Sequence, residues 1–205
     1  KKIIQINKKI ENIVFSSVVP EILNKFSILF KSSFNKKIIE IKKLKLDKLI
    51  DIKVNKKQVG SDRLANSISV IDKTNNYIII DFGTATTFDV IIKKKYLGGI
   101  ISPGINLSLN TLTSRASLIP EINLKKISYV IGKNTNEAVR SGFFWGYAGL
   151  IDNIVNLIKK ETRKSFKLVI TGGFSDLFKY SIKSKLAQNK NITINGLIKI
   201  SKLIK

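Results

Sequence analysis

The chain contains no cysteine and no histidine. Disulfides, thiol nucleophiles, zinc sites of the usual kind and His-based acid–base pairs are thereby excluded. A general base has to come from Asp, Glu, Lys or Tyr. Acids are scarce as well, 14 against 37 Lys and Arg, and most stand among lysines in polar stretches. Three do not: Asp62 beside Gly60-Ser61, Asp81 at the end of an apolar run, and Asp89 inside one. Carboxylate chemistry here points to these three. Arginine is also rare, with only Arg63, Arg115, Arg140 and Arg163. The remaining basic residues are lysines spread along the whole chain, alongside abundant Ile and Asn. That is the composition of an AT-rich genome rather than of a binding face. Base readers and phosphate clamps favour the planar fork of Arg, and no aromatics interleave with the basic runs to stack on bases. The net charge of +23 therefore implies no nucleic-acid partner. No segment reaches the ~18 apolar residues that span a bilayer. Residues 1–12 have neither an apolar core nor a cleavage site, so no signal peptide is expected. These absences lead us to expect a soluble cytoplasmic protein without a membrane partner.

What is present reads as α/β with a mixed sheet. Residues 13–19 suit a strand, and Pro20 opens a helix through about Phe30 with helical apolar spacing. Lys37–Ile41 suits a short strand, and the polar stretch 42–58 a loop. Gly60-Ser61-Asp62-Arg63 starts a helix through Val70. The polar residues 72–76 form a turn and a domain boundary. Strands follow at 77–81, 88–92 and 96–101, with Lys93-Lys94-Lys95 at a turn. Asn106–Arg115 reads as a helix. Asn134 and Glu137 fit a capping box at the start of a long helix to about Lys160. Gly142, Gly146 and Gly149 lie in that helix among aromatics, which predicts close packing against another helix. A strand at Leu168–Ile170 ends in Thr171-Gly172-Gly173, then helices follow at Ser175–Lys185 and from Thr193 onward.

The richest stretch is Tyr77-Ile-Ile-Ile-Asp-Phe-Gly-Thr-Ala-Thr-Thr-Phe-Asp89. A buried β-branched strand carries Asp81 to its end, where ligands meet an α/β sheet. Gly83 allows close approach of the backbone. Thr84, Thr86 and Thr87 add hydroxyls, and the turn exposes N–H groups. This is the chemistry of a phosphate cradle with a carboxylate set for a cation.

Six motifs occur in order: Ser16-Ser17-Val18-Val19-Pro20, Gly60-Ser61-Asp62-Arg63, Asp81 to Asp89, Gly98-Gly99-Ile100-Ile101-Ser102-Pro103-Gly104, Ile131-Gly132-Lys133-Asn134-Thr135, and Thr171-Gly172-Gly173. Together, from about Ile13 to the C-terminus, they resemble type III pantothenate kinase. The resemblance implies the actin-like, sugar-kinase and Hsp70-like ATPase fold, with two ribonuclease-H-like domains and mixed sheets. The expected division is 1–76, carrying the pantothenate-binding element, and 77–205, carrying the ATP, cation and dimer elements. The implied activity is ATP-dependent phosphorylation of pantothenate to 4'-phosphopantothenate, the first step of coenzyme A biosynthesis. Carried over motif by motif, Gly60, Ser61, Asp62 and Arg63 bind pantothenate, with Asp62 as general base. Asp81 binds a monovalent cation, K+ or NH4+, and Thr84 contacts ATP, which enters with Mg2+. Thr135 reaches pantothenate across a homodimer interface.

Two positions depart from the pattern. Lys53 stands where the family usually has a Tyr contacting pantothenate. No Asp-x-Gly-Asn-Thr, the family's first phosphate motif, precedes Ile13, and the sequence begins at Lys1. The first domain is therefore expected to be incomplete here, and this chain alone to have little kinase activity. Two alternatives remain open at the sequence level. One is a catalytically inactive or regulatory relative. The other is a different small-molecule kinase of the same superfamily.

Overall fold

The computed structural model describes residues 12–17, 20–36 and 38–204. They form two compact units. One comprises the described residues through Lys73 together with Ile91–Gly98 and the chain from Asn191 onward; the other comprises Thr74–Val90 and Gly99–Lys190.

In the first unit, β1 (Ile13–Phe15) runs parallel to β2 (Ile38–Glu40), with Ile13 opposite Ile38. The expected continuation of β1 through Val18 and Val19 lies outside the described residues. Helix α1 (Pro20–Phe34) begins at its proline and runs one turn beyond the expected end. It stops where Asn35 takes the left-handed conformation, φ 50°. Phe26, Phe30 and Phe34 recur every fourth residue and stack on one another, and Phe15 of β1 joins the row at 5.5 Å.

The stretch 42–58 is not a plain loop. It contains β3 (Asp51–Ile52), parallel to the start of the later strand β6 (Lys95–Pro103), with Ile52 opposite Tyr96. Leu46 and Ile50 are buried between lysines that obscure any period. Helix α2 (Ser61–Val70) buries Leu64, Ala65 and Ile68. It packs against α6 (Ile192–Ser201).

The second unit is built on β4 (Asn76–Phe82), β5 (Ala85–Ile92) as far as Val90, β6 (Lys95–Pro103) from Gly99 onward, β7 (Lys167–Gly172) and β8 (Leu186–Gln188), in the order β6-β5-β4-β7-β8. Two-residue connections join β4 to β5 and β5 to β6, which requires antiparallel pairing. β4, β7 and β8 are parallel. Between the hairpins and β7 lie α3 (Ile105–Arg115) and α4 (Thr135–Thr162).

Alternate residues of the strands (Ile78, Ile80 and Phe82; Phe88 and Val90) meet the stripe Phe144, Ala148, Ile151, Val155 and Ile158 of α4. Burying one such side chain contributes about 1.5–3 kcal/mol. A helical glycine costs at most about 1 kcal/mol. The stripe therefore outweighs the three glycines of α4. The helix expected over Ser175–Lys185 is a single turn, α5 (Ser175–Phe178), followed by β8. The cause is long-range: β8 supplies the parallel edge of β7, Ile170 opposite Gln188, and local periodicity carries no trace of that partner. Among the described residues no helix is long and apolar enough to cross a membrane.

Candidate active site

Gly60 is the N-cap of α2, with extended backbone and no side chain to cap the helix. The Asp62 carboxylate does this instead, accepting the Arg63 N–H at 2.8 Å. A Cβ on residue 60 would strike Asp62 Oδ1, so the glycine is the space into which the carboxylate folds. Asp62 and Arg63 are both half-buried and reach solvent.

Ser61 is fully buried. Its Oγ donates to Ser17 O and accepts from Ser16 Oγ, both at 3.0 Å. Two of the sequence motifs thus meet here, the serine pair pinning the start of the helix that carries Asp62. Lys53, at the position of the usual Tyr, pairs with Asp51 at 2.7 Å, both about half exposed.

In the second unit three more motifs converge at the C-terminal end of β4. Phe82 lies opposite Gly172 of β7, and the Gly173 N–H donates to Phe82 O at 3.1 Å. Gly172 has φ +85°, and a Cβ there would meet the Phe82 backbone at 2.5 Å. Only glycine fits that crossing. Gly104, ahead of α3, lies against the Thr84 and Gly83 carbonyls, again with no room for a Cβ. The Gly83–Thr84 turn is thus fixed by backbone contact on both sides. Thr84 itself is exposed, and Asp81 is half-buried on the sheet face turned away from the α4 core. Asp89 is fully buried within β5, as is Thr86. Among the described residues no cluster of three or more His, Cys, Asp or Glu could hold a metal ion.

Beside Gly172, Ser175 Oγ donates to Gly172 O at 2.8 Å and accepts from Gln188 Nε2 at 2.8 Å. Gln188 also donates to Asp176, and Lys190 pairs with the same carboxylate. These bonds, that to Lys190 foremost, lower the Asp176 pKa to about 2.

Thr135 is the first residue of α4 and is exposed. Asn134 Oδ1 accepts the Glu137 N–H at 3.0 Å, as a capping box requires. Glu137 reaches one residue further back than expected, accepting the Lys133 N–H at 2.9 Å. Gly132 lies so close to the Ala138 and Glu137 backbone that the motif wraps the helix start.

Gly142, Gly146 and Gly149 are exposed, and a Cβ on any of them meets no described atom. Their expected packing partner is thus not supplied by this chain's described residues. An apolar cleft of about 430 Å³ runs along this face, floored by Leu112, Gly142, Phe143 and Gly146. Tyr147 was not singled out by sequence. Its Oη lies 2.9 Å from Ser108 Oγ and donates to Pro103 O at 3.2 Å, tying α3 and α4 to the Ser-Pro-Gly turn. Only its place among aromatics hinted at it.

Comparison with known proteins accords with this arrangement. The type III pantothenate kinase family model matches residues 1–157. The type III pantothenate kinase of Pelagibacter ubique is 64% identical over 97% of this chain and 80% of its own length. That of Ruegeria sp. is 36% identical over 95% and 76%. A solved Campylobacter jejuni structure, assigned to the Baf family of transcriptional activators, superposes with a TM-score of 0.69. It covers 98% of this chain and 86% of its own, at 21% identity, a likeness of fold. The fold is α/β with a mixed sheet, as expected. The chain belongs to the type III pantothenate kinase family.

Proposed function

We propose that Asp62 is the general base of a pantothenate kinase, with Arg63 holding the substrate carboxylate. The activity comes with the family: ATP-dependent phosphorylation of pantothenate in coenzyme A biosynthesis. The primary hydroxyl oxygen of pantothenate bonds to the γ-phosphorus, the bond to the β,γ-bridging oxygen breaks, and ADP leaves. The hydroxyl proton passes to the Asp62 carboxylate. One observation carries this reading. The Asp62 carboxylate sits at the start of α2 in the space left by Gly60, bonded to the Arg63 N–H and with no histidine in the chain to replace it.

Arg63 supplies a charge-assisted pair for the pantothenate carboxylate. Gly60 admits the carboxylate of Asp62. Ser61 acts from within, by holding the helix start to Ser16 and Ser17. In the other unit, the exposed Thr84 offers its hydroxyl to ATP phosphates, and Mg2+ enters with the nucleotide. Asp81, with neighbouring carbonyls, holds K+ or NH4+, which supplies positive charge beside the phosphates. The glycine face of α4 joins two copies as a homodimer, and Thr135 serves the partner's pantothenate pocket. The protein works in the cytoplasm.

The decisive experiment is Asp62→Asn, which keeps shape and removes charge. Turnover should fall about 10²–10⁴-fold with the melting temperature unchanged. The parent assayed in sodium-only buffer should lose activity that K+ or NH4+ restores. Near-normal turnover of the variant removes the base assignment, and equal rates in sodium and potassium remove the cation site.

A further inference from the structure

Helix α2 carries Asp62 and Arg63 on its first turn, and it is gripped by a helix from the far end of the sequence. Gly196 of α6 is buried, and a Cβ there would strike the carbonyl of Ala65. The two helices therefore touch backbone to backbone. One turn earlier, Thr193 Oγ1 donates to Asn66 Oδ1 at 2.6 Å, across 127 residues of sequence. Asn66 is fully buried, so this bond forms without competing water. One turn later, Lys199 Nζ donates to Ser69 O at 2.5 Å and to Ile68 O at 3.4 Å. These carbonyls belong to the last turn of α2, where helix acceptors lack partners of their own. Residues 193, 196 and 199 make one stripe, and it engages successive levels of α2.

A helix is rigid along its axis. Backbone contact at Gly196 and a short buried hydrogen bond at Thr193 fix its sliding position, as Ser61 does at the other end. A shift of about 1 Å in a reacting group can cost about 10²-fold in rate. We propose that Thr193, Asn66 and Gly196 are positioning residues, setting α2 along its axis and with it the Asp62 carboxylate and Arg63 guanidinium. This inference rests on the role assigned to Asp62.

The test uses a form of the enzyme that phosphorylates pantothenate, and varies pantothenate and ATP separately. Thr193→Val keeps the shape and removes the hydroxyl; Thr193→Ser keeps the hydroxyl. For Thr193→Val, kcat/KM for pantothenate should fall about tenfold, with KM for ATP within twofold of the parent. Thr193→Ser should restore the pantothenate value. Gly196→Ala should show the same selective loss, larger; if it does not fold, Thr193→Val still decides. Thr193→Val with parental pantothenate kinetics overturns the proposal. So does a loss of kcat/KM no larger than the fraction of unfolded protein read by circular dichroism, which would mark a loss of folded protein only. Asp62→Asn is assayed alongside. If it is inactive while Thr193→Val is normal, only the role of α6 falls. If Asp62→Asn is itself near normal, the base assignment falls, and this inference with it.

Discussion

Asp176 shows how one side chain can be read to a pH. Its carboxylate accepts from Lys190 Nζ at 2.5 Å and Gln188 Nε2 at 3.0 Å, with Lys179 at 3.5 Å. These partners favour the charged form and lower its pKa from 3.8 to about 2. The folded value is depressed, so the stabilisation is complete above pH 3.8 and disappears as pH falls through 2. A carboxyl chemical-shift titration should give a midpoint near 2, moving toward 3.8 in Lys190→Ala. A parental midpoint near 3.8 would show that the pair does not form in solution. The group is open to solvent, so added salt should also raise the midpoint.

Among the elements, α4 makes the clearest division between a face that its own unit covers and a face that no described residue covers. Its buried stripe fills the core of the second unit, while Gly142, Gly146 and Gly149 face open space. Gly146→Leu should therefore leave the melting temperature unchanged or raised, since leucine is the better helix former by up to about 1 kcal/mol. Sedimentation should show the parent as a dimer and the variant as a monomer. A variant that stays dimeric would move the interface elsewhere.

The same helix shows what could be read in the sequence. Its start, cap and length follow from Asn134, Glu137 and the apolar spacing, all local signals. The Asp81 strand and the Gly60 helix start were legible for the same reason. β3 and β8 were not, because each is a short segment held only by a strand distant in sequence. In the site, the glycines could be recognised as motif members. What each one avoids (the Asp62 carboxylate at Gly60, the Phe82 backbone at Gly172) becomes visible only in three dimensions. Tyr147 escaped because its partners, Ser108 and Pro103, are about forty residues away.

At the scale of the molecule, the first unit is assembled from separated pieces of chain, whereas the core of the second lies between Thr74 and Lys190. Removing residues 191–205 should therefore act selectively. In hydrogen exchange, amides of β4, β7 and α4 should keep their protection, and those of α2 should lose it. Protection of α2 equal to that in the full chain would show that its own packing is sufficient. The same discontinuity gives synthesis a timetable. Thr193 is translated 127 residues after the Asn66 it will bond. At ~5–20 residues per second, that is a wait of roughly 6–25 s. During that interval a nascent chain already has α2 but not the helix that packs on it. Until α6 has been made, α2 lacks both the Asn66 bond and the backbone contact at Gly196 that fix its place.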